Sequence, residues 1–494
     1  MNNDNPPDHN LYASIPPSTA PASTRPATAA TDSPNNDPFN PKTVPGASSE
    51  AASASGLGTN PFASPEASRP TSSLGDFSGS GIAALTGVSA ARSEERPPRY
   101  FHSRRVKKGD VEKPWLKHKD PKEKWVTILP IIGILVGLGI SGFLVWDGIR
   151  SVVQHKYCEV LVEDFSQGLR ESIWTKEVEL GGFGNGEFAM TTPGDENVFI
   201  QDGRLIIRAT LQDASLIEND SKIDLLKDGT CTSDDPLRCI ATTNTTVGNA
   251  TIVPPAKSGR INTKKGASIK YGRVEVTAKL PRGDWLWPAI WMMPVEDTYG
   301  EWPASGEIDI MESRGNNWTY PQGGNDVMSS ALHWGPDSEN DGWWRTNNKR
   351  GALHTTYSDG FNTFGLEWSQ KYLFTYVNSR LLQVTYTNFA KPFWERGNFP
   401  NFNSDGERIE DPWSATGRKE APFDQKFFLI LNVAVGSQNG WFQDAPGKPW
   451  RDRSDNAAKD FWTKRNEWYP TWTQPQMEIS KVVMWQQCDG NEEL

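Results

Sequence analysis

The chain is poor in the residues that most often bind metals, with 4 cysteines and 6 histidines among 494 residues. No Cys-X-X-Cys spacing with a histidine partner supports a zinc site. The cysteines all lie after residue 157, at Cys158, Cys231, Cys239 and Cys488. An even number in an oxidising compartment predicts two disulfides, with three pairings open. We favour Cys231–Cys239, which closes a small loop, and Cys158–Cys488, which joins the ends of one domain.

Large apolar side chains are scarce in residues 1–97, where Ser, Ala, Pro, Thr, Asn and Gly dominate. Such a segment cannot bury enough apolar surface to offset its ordering entropy, so we expect a disordered tail. Residues 98–124 are rich in lysine and arginine and end directly at a hydrophobic segment. That position favours a juxtamembrane role over nucleic-acid binding.

Long uncharged apolar runs are also scarce, and the chain has one at residues 125–146. As a helix this run spans roughly 33 Å, enough to cross a bilayer. Its distance from the N-terminus argues against a cleaved signal peptide. Because basic residues crowd its N-terminal flank, we expect a single-pass type II protein with a cytoplasmic tail. Residues 147–157 would be a stem to a lumenal or extracellular domain, in the secretory pathway or at the plasma membrane.

The formal net charge is −10 although the segment before the apolar run is basic, so the region after it is the acidic part. An acidic surface disfavours nucleic acid as a partner and is compatible with a neutral polysaccharide. Four Asn-X-Ser/Thr sequons, which predict glycosylation in a lumenal domain, lie in this region at Asn219, Asn244, Asn249 and Asn317. The sequence leaves the oligomeric state unknown.

Convincing long amphipathic helices are missing after Tyr157, and short apolar runs broken by Gly, Pro, Asn and Asp take their place. Clear strand-like runs occupy residues 203–210, 272–279, 372–377 and 426–434. Many short strands over residues 158–490 indicate an all-β domain of the β-sandwich class.

The most informative segment is acidic. Residues 305–315 read SGEIDIMESRG, with Glu307, Asp309 and Glu312 set among apolar neighbours. Acidic side chains are depleted in strands and costly to bury. Glu307 and Asp309 share a face because side chains alternate, and a β-bulge near residues 310–311 would return Glu312 to that face. An edge strand with solvated acids is the alternative.

Two carboxylic acids facing one cleft are the usual means of breaking a glycosidic bond. In a retaining reaction one acid attacks the anomeric carbon, and the other protonates the leaving oxygen and then activates water or a second sugar. We assign these roles to Glu307 and Glu312. Asp309, between them, would hold a proton or a hydrogen bond and separate their pKa values.

The segment GEIDIME at residues 306–312 resembles the catalytic signature of glycoside hydrolase family 16, in the bulged form of its laminarinase-like, endo-β-1,3-glucanase branch. Further segments resemble that branch in the same order. They are SGRINT at 258–263, YGRVEV at 271–276, LPRGDWLWPAIW at 280–291, LHWG at 332–335 and LNVAVG at 431–436. The resemblance covers roughly residues 158–490.

The resemblance implies a jelly roll of two curved antiparallel sheets with a concave substrate cleft. It implies Glu307 as nucleophile, Glu312 as acid/base and Asp309 as helper. No cofactor is implied; a calcium ion at Asp164, found in many relatives, stays uncommitted and the metal ligands unknown, because no dense oxygen-ligand motif is present. The candidate substrate contacts are Arg260, Trp287, Trp291, His333, Trp334, Asn432 and Trp441.

These observations predict a retaining endo-β-glucan hydrolase acting on β-1,3-glucan or mixed β-glucan of a cell wall. A glucan transglycosylase in wall assembly is the nearest rival, because the type II anchor with a long Ser/Pro-rich tail resembles fungal wall-assembly proteins of this family. A non-catalytic glucan-binding receptor is the rival from another class. Extended segments at residues 211–257, 334–354 and 393–421 leave linkage and chain length open.

Overall fold

A computed structural model describes residues 105–118, 120–151, 155–246 and 251–488. The chain divides into two compact units, Met1–Glu112 and Lys113–Leu494. In the first unit only residues 105–112 are described, and their side chains are exposed. The predicted disordered tail at residues 1–97 and the sequon at Asn249 therefore lie outside the described residues.

The predicted apolar helix is present and longer than expected. Helix α1 runs Glu123–Ser151. Its stretch Glu123–Ile149 is long and apolar enough to cross a membrane. The helix continues past Trp146 to Ser151, so the first five residues of the predicted stem at 147–157 are helical. The role of residues 147–157 as a stem stays a prediction.

The remaining described chain is built mainly from short strands. In chain order they are β1 (Tyr157–Glu163), β2 (Thr175–Lys176), β3 (Ala189–Thr191), β4 (Val198–Gln201), β5 (Arg204–Arg208), β6 (Thr210–Leu211), β7 (Ser221–Asp224), β8 (Ile240–Thr243), β9 (Ala256–Ser258), β10 (Arg260–Asn262), β11 (Ser268–Ile269), β12 (Gly272–Lys279), β13 (Leu286–Pro294), β14 (Glu307–Ser313), β15 (Val327–His333), β16 (Asn348–Gly351), β17 (Asn362–Trp368), β18 (Tyr372–Val377), β19 (Gln383–Asn388), β20 (Phe427–Val435) and β21 (Gln476–Gln487).

Helices after α1 are short. They are α2 (Ala214–Glu218), α3 (Phe393–Gly397), α4 (Ala457–Thr463) and α5 (Arg465–Trp468). Single 3-10 turns occupy Pro114–Leu116, Gly182–Gly184, Pro236–Cys239, Ser338–Asn340, Trp343–Arg345, Ser414–Thr416 and Tyr469–Thr471.

Two large antiparallel sheets carry the domain. The first, which we call the acid sheet because its strand β14 carries Glu307, Asp309 and Glu312, has the order β16-β15-β14-β13-β20-β10-β2, with β11 also paired to β20. The second sheet has the order β19-β18-β17-β12-β21-β5-β4, with β1 paired to β21. The crossovers between sequence-distant strands give the jelly-roll-like β-sandwich that the sequence predicts. Its concave cleft stays a prediction.

One buried apolar cluster joins the two sheets. In β12 alternate residues are buried, among them Val274 and Val276. In β20, by contrast, all nine residues are buried, and this strand lies in the interior of the same sheet as β14, paired to β13 and β10. Leu429 and Leu431 of β20 belong to the same cluster as Val274 and Val276, so the core lies between the sheets.

Both disulfides have the favoured pairing. Cys158 is bonded to Cys488, across a sequence separation of 330 residues, and joins the beginning of β1 to the residue after β21. Cys231 is bonded to Cys239, eight residues away. No free cysteine is present, since these pairs account for all four.

Three of the four strand-like runs are single strands, and the fourth is divided. The run at residues 203–210 becomes β5, in the second sheet, and β6, in a three-stranded sheet with β3 and β9. The break falls at Ala209, whose backbone N–H donates to Pro475 O instead of continuing the β5 ladder. Apolar alternation does not reveal where a strand changes its hydrogen-bonding partner. The sequence pattern therefore predicted one strand where the structure has two, β5 and β6.

Candidate active site

The acidic strand contains the predicted bulge. In its pairing with β13, Met311 lies opposite Ile290 and Asp309 lies opposite Trp291, so Ile310 is the extra residue. The pairing with β15 shows the same shift between Asp309 and Glu312. The bulge lets the core-facing residues stay buried while the three acids share the other side of β14, which we call the acid face.

Strand register shows which side chains accompany the acids. Residues directly opposite each other in an antiparallel pair point to the same face. Glu312 lies opposite Ala289, Ala289 opposite Asn432, and Asn432 opposite Arg260. This row crosses four strands, so Arg260 lies three strand spacings, roughly 14 Å, from Glu312 along the acid face.

The outer two carboxylates each accept a hydrogen bond from a tryptophan. Trp302 Nε1 donates to Glu307 Oε2 at 2.7 Å. Trp287 Nε1 donates to Glu312 Oε1 at 3.0 Å. Indole N–H groups donate only, so they stabilise a carboxylate without offering it a proton. The two ends of the acid motif are thus held in similar settings.

Asp309 is contacted by a histidine instead of a tryptophan. His333, the last residue of β15, lies opposite Glu307 and places Nε2 3.3 Å from Asp309 Oδ2. Its other nitrogen, Nδ1, is 2.5 Å from Asp341 Oδ2. Flanked by two carboxylates, the imidazole has its pKa raised well above its ordinary value despite burial that opposes the charge. His333 therefore carries positive charge beside the acids at neutral pH.

Burial dominates the electrostatics of the acids. It raises the pKa of Glu312 to about 7, and repulsion from Glu307 adds to the effect. Burial also raises the pKa of Glu307 and of Asp309, each further raised by a neighbouring acid. The His333 imidazolium acts in the opposite direction on the pKa of all three. The site can therefore keep one carboxyl protonated near neutral pH while another is ionised.

A polar group lies at the β10 end of the acid face. Asn432 Oδ1 accepts from Trp291 Nε1 at 2.7 Å. The Arg260 guanidinium lies over the Trp291 ring, 4.7 Å from its centroid, and pairs with Glu177 at 2.6 Å. The structure thus brings Arg260, Trp291 and Asn432 together on the face that carries the acids. Their contact with substrate stays a prediction.

Trp287 and Trp441 form a stacked pair beside Glu312. Their ring centroids are 4.8 Å apart with an interplanar angle of 14°. The Arg314 guanidinium lies 3.9 Å from the Trp441 ring centroid, and its Nη2 donates to Trp441 O at 2.7 Å. These contacts fix the Trp287 indole in the position from which it reaches Glu312. A sugar contact by either ring stays a prediction.

The prediction that Trp334 contacts substrate is wrong. Its side chain is fully buried, packed against Phe393 at 4.8 Å and donating from Nε1 to Thr346 Oγ1 at 2.8 Å. It directly follows His333, and successive side chains of a strand point to opposite faces. With His333 on the acid face, Trp334 has to enter the core.

Metal ligation gains little support from the geometry. Among the described residues, one ligand atom each of Glu307, Asp309 and His333 lie within 4.8 Å of one another. Both ring nitrogens of His333 are already engaged by aspartates, and a protonated imidazole has no lone pair to give. The Asp164 carboxylate accepts from Ser166 N and Oγ, which is a local turn contact. Calcium at Asp164 remains uncommitted.

Sequence reasoning missed two residues of the site, Trp302 and Asp341. Both come from segments outside regular strands, where no periodicity indicates which way a side chain points. Trp302 carried a weak signal, since it lies five residues before Glu307 in a Gly- and Pro-containing loop. For Asp341 the only signal in the sequence was its position within the extended segment at residues 334–354.

Of the sequons, Asn219 and Asn317 are exposed, as glycan attachment requires. Asn244 is half-buried, and its side-chain oxygen accepts from Thr246 N and Oγ1. Glycosylation at these positions stays a prediction.

Comparison with known proteins decides the family. The family model described as "Glycosyl hydrolases family 16" matches residues 226–404. The "Beta-1,3-glucan-binding protein" of Penaeus monodon is 38% identical over 336 residues, covering 65% of this chain and 86% of that protein. The chain belongs to glycosyl hydrolase family 16.

Other family 16 similarities include an enzyme and a solved structure. The "Glucan endo-1,3-beta-glucosidase" of Cryptopygus antarcticus is 31% identical over 315 residues, which are 63% of this chain and 90% of that protein. The laminarinase structure from Rhodothermus marinus is 23% identical with a TM-score of 0.43, covering 68% of this chain and all of that one.

The raised pKa of Glu312 predicts a pH-dependent stability cost. The folded state holds this proton up to about pH 7, whereas an unfolded glutamate releases it near its ordinary pKa of 4.5. Between those values the unfolded state binds fewer protons, so the free energy of unfolding falls as pH rises. We expect Glu312→Gln to match the wild type at pH 4 and to exceed its stability at pH 8, by at most about 3 kcal/mol.

Urea unfolding of both proteins across this pH range measures the difference. The exposed Glu296→Gln is the matched control and should leave the pH dependence unchanged. A Glu312→Gln variant that is less stable than the wild type at pH 8 would show that the carboxylate is stabilised, not strained, in the folded protein.

Proposed function

We propose that this family 16 protein is a retaining endo-β-glucan hydrolase that cleaves β-1,3-glucan, or a mixed β-glucan, through a covalent glycosyl-enzyme intermediate. The observation that carries the proposal is the bulge at Ile310, which brings Glu307, Asp309 and Glu312 to one face. A bound sugar on that face can meet a nucleophile and a proton donor at once. The name of the Cryptopygus antarcticus relative supports the same linkage.

The proposed reaction has two halves, formation and hydrolysis of the glycosyl ester, and Glu307 and Glu312 each act once in both. The reaction needs Glu307 ionised and Glu312 protonated, whereas burial and the Asp309 charge raise the pKa of Glu307 at least as far as that of Glu312 in the free site. A proton therefore has to leave Glu307 and reside on Glu312 when the sugar is bound. The Glu307 carboxylate then attacks the anomeric carbon while Glu312 gives its proton to the leaving oxygen. Glu312 then removes a proton from the incoming water, which breaks the glycosyl ester to Glu307. Trp302 and Trp287 hold the two carboxylates in position through their indole N–H groups. Asp309 and His333 set the charge around Glu307.

A second candidate is glucan binding without turnover. The Penaeus monodon protein, at 38% identity, is named for binding β-1,3-glucan. Against this candidate stands the cost of the site, since one buried and two half-buried carboxyls on one face are hard to explain in a protein that only binds. Transfer to a second sugar is the third candidate, because it uses the same intermediate with a different acceptor.

Product analysis separates the three candidates. The full chain in detergent is incubated with β-1,3-linked and with β-1,6-linked glucose oligosaccharides, and products are read by mass spectrometry. We expect shorter β-1,3 products from the wild type. We expect Glu307→Gln to lose more than about a thousandfold in rate, because the amide cannot form the glycosyl ester.

Products longer than the starting oligosaccharide would indicate transfer, and binding without any product would support the receptor. Glu296→Gln, at an exposed position, controls for the loss of one glutamate and should keep wild-type activity. Unchanged circular dichroism of Glu307→Gln shows that the fold survives. Full activity of this variant would contradict its role as nucleophile.

His333 offers a second test through the pH profile. Its imidazolium lowers the pKa of Glu307 and of Glu312. Replacing it with glutamine removes that charge, so the pKa of the nucleophile should rise. We expect the acid limb of the kcat/KM profile to move to higher pH in His333→Gln.

The exposed histidine His354 provides the matched control, and His354→Gln should leave the profile in place. An acid limb that stays where it was, or moves to lower pH, in His333→Gln would contradict the assignment of positive charge to His333.

We infer a type II membrane anchor for the hydrolase, with α1 as the span. Support comes from the length and apolar composition of α1 and from the basic residues before it. Two disulfides after α1 fit an oxidising compartment on that side. The glucan would then meet the enzyme in the secretory pathway or at the cell surface.

Translation of the full chain with microsomal membranes tests this topology. We expect protease added outside the vesicles to remove the N-terminal tail and leave the rest protected. We also expect Asn317→Gln to increase electrophoretic mobility by one glycan, because Asn317 is an exposed sequon. A protected tail with an unglycosylated C-terminal domain would mean the opposite orientation.

A further inference from the structure

Two exposed tryptophans lie at the end of the acid face opposite Arg260. Trp302 and Trp343 are each 41% exposed. Their rings flank His333, with centroid distances of 5.7 Å and 6.1 Å, and the Trp343 ring is nearly parallel to the imidazole at 25°. Because His333 contacts Asp309 and Trp302 contacts Glu307, this pair is continuous with the catalytic acids.

The loop that presents Trp343 is firmly held. Asp341 Oδ1 accepts from Trp343 N at 3.1 Å and from Trp334 N at 3.2 Å, while its Oδ2 contacts His333. Gly342 lies so close to the buried Trp334 ring that a Cβ there would come within 2.8 Å of it. The Trp343 ring is therefore positioned in advance although much of it faces solvent.

A rigid, solvent-exposed indole beside an active site is arranged for a ligand with an apolar face. Sugar rings present such a face of C–H groups. Because the indole is already ordered, stacking on it has little conformational entropy to overcome. The Trp302 and Trp343 rings also lie beside the acids. A glucan chain stacked on Trp343 can therefore extend to the anomeric carbon that reacts at Glu307.

The two ends of the acid face differ in chemistry. The β10 end offers hydrogen-bonding groups, the Arg260–Glu177 pair and Asn432, which bind a sugar in one orientation. The Trp343 end offers mainly aromatic surface, which tolerates many sugars and positions. The glycosyl group bound to Glu307 must keep one orientation, which suits the hydrogen-bonding β10 end. The leaving or incoming glucan chain is exchanged in every turnover, which suits the aromatic Trp343 end.

We propose that Trp343, with Trp302, forms an acceptor subsite that stacks a sugar ring of a second β-glucan chain. This proposal rests on the function proposed above and adds the partner that takes the glycosyl group. The same surface holds the leaving chain in the first half-reaction. With an acceptor stacked there, glycosyl transfer competes with hydrolysis.

The transfer step balances without a further reagent. A hydroxyl oxygen of the stacked acceptor bonds to the anomeric carbon as the ester bond to Glu307 breaks. The bonding electrons return to the Glu307 carboxylate. The hydroxyl proton passes to Glu312, which restores the protonated acid for the next cycle.

An activated donor allows the donor side of the site to be tested separately from the acceptor side. The full chain in detergent receives β-laminaribiosyl fluoride, a β-1,3-linked glucose disaccharide with fluoride as leaving group, and a fluorescently labelled β-1,3-linked glucotriose as acceptor. Forming the intermediate from this donor needs no leaving chain. We expect Trp343→Ala to release fluoride in its first turnover as the wild type does, while the ratio of lengthened to hydrolysed product falls at least about fivefold.

The neighbouring Trp344 is the matched control, since it is 54% exposed but its ring lies against the Arg345 guanidinium at 4.0 Å. Trp344→Ala should keep the wild-type product ratio, and Trp343→Phe should recover most of it. An equal loss in Trp344→Ala would mean a general effect of the loop and overturn the proposal.

Two further outcomes would also overturn it. Fluoride release that falls with transfer in Trp343→Ala would place this ring on the donor side. An unchanged product ratio in that variant would mean that no acceptor stacks there. A wild type that releases no fluoride would overturn the proposed hydrolase, and this separates failure of the function from failure of the subsite.

Discussion

Placing three carboxyls, one buried and two half-buried, on one face of a sheet is the constraint on which the site depends. It requires an extra residue, Ile310, without which Glu312 would turn into the core. It also requires donors that offset lost hydration, supplied by Trp287, Trp302 and His333. Trp287 is itself held by Trp441 and Arg314, and His333 by Asp341. The position of the acids on β14 therefore depends on loop residues such as Asp341 and Trp441 as well as on the strand itself.

The sequence predicted the features governed by local pattern. The strand content, the bulge and the family follow from short-range periodicity and motif order. Cysteine arithmetic gave two disulfides with three pairings open, and the favoured pairing is the one present. The features it could not predict depend on loops. Trp302 and Asp341 enter the site from irregular segments, and Trp334 was assigned to the wrong side because a motif was carried over without applying strand alternation from His333. The division of residues 203–210 depends on partners remote in sequence.

Family 16 membership leaves open what happens to a bound glucan, since relatives named for binding and for cleavage both match this chain. The cost of burying ionisable groups is the physical argument for the turnover that we propose. A protein that only holds a neutral polysaccharide gains nothing from carboxyls whose ionisation is penalised by burial. The contrast between the hydrogen-bonding β10 end and the aromatic Trp343 end is also more useful to an enzyme that retains one fragment and exchanges the other than to a uniform binding groove.

The covalent link between Cys158 and Cys488 changes how the domain responds to proteolysis. Because it connects the first strand to the residue after the last, a single cut anywhere between these cysteines leaves both fragments in one molecule. Only a cut before Cys158 separates the sandwich from α1. Release of the intact sandwich and cleavage within it are therefore distinct events, and the Cys158–Cys488 bond has to be reduced before a sandwich cut between these cysteines can lose a fragment.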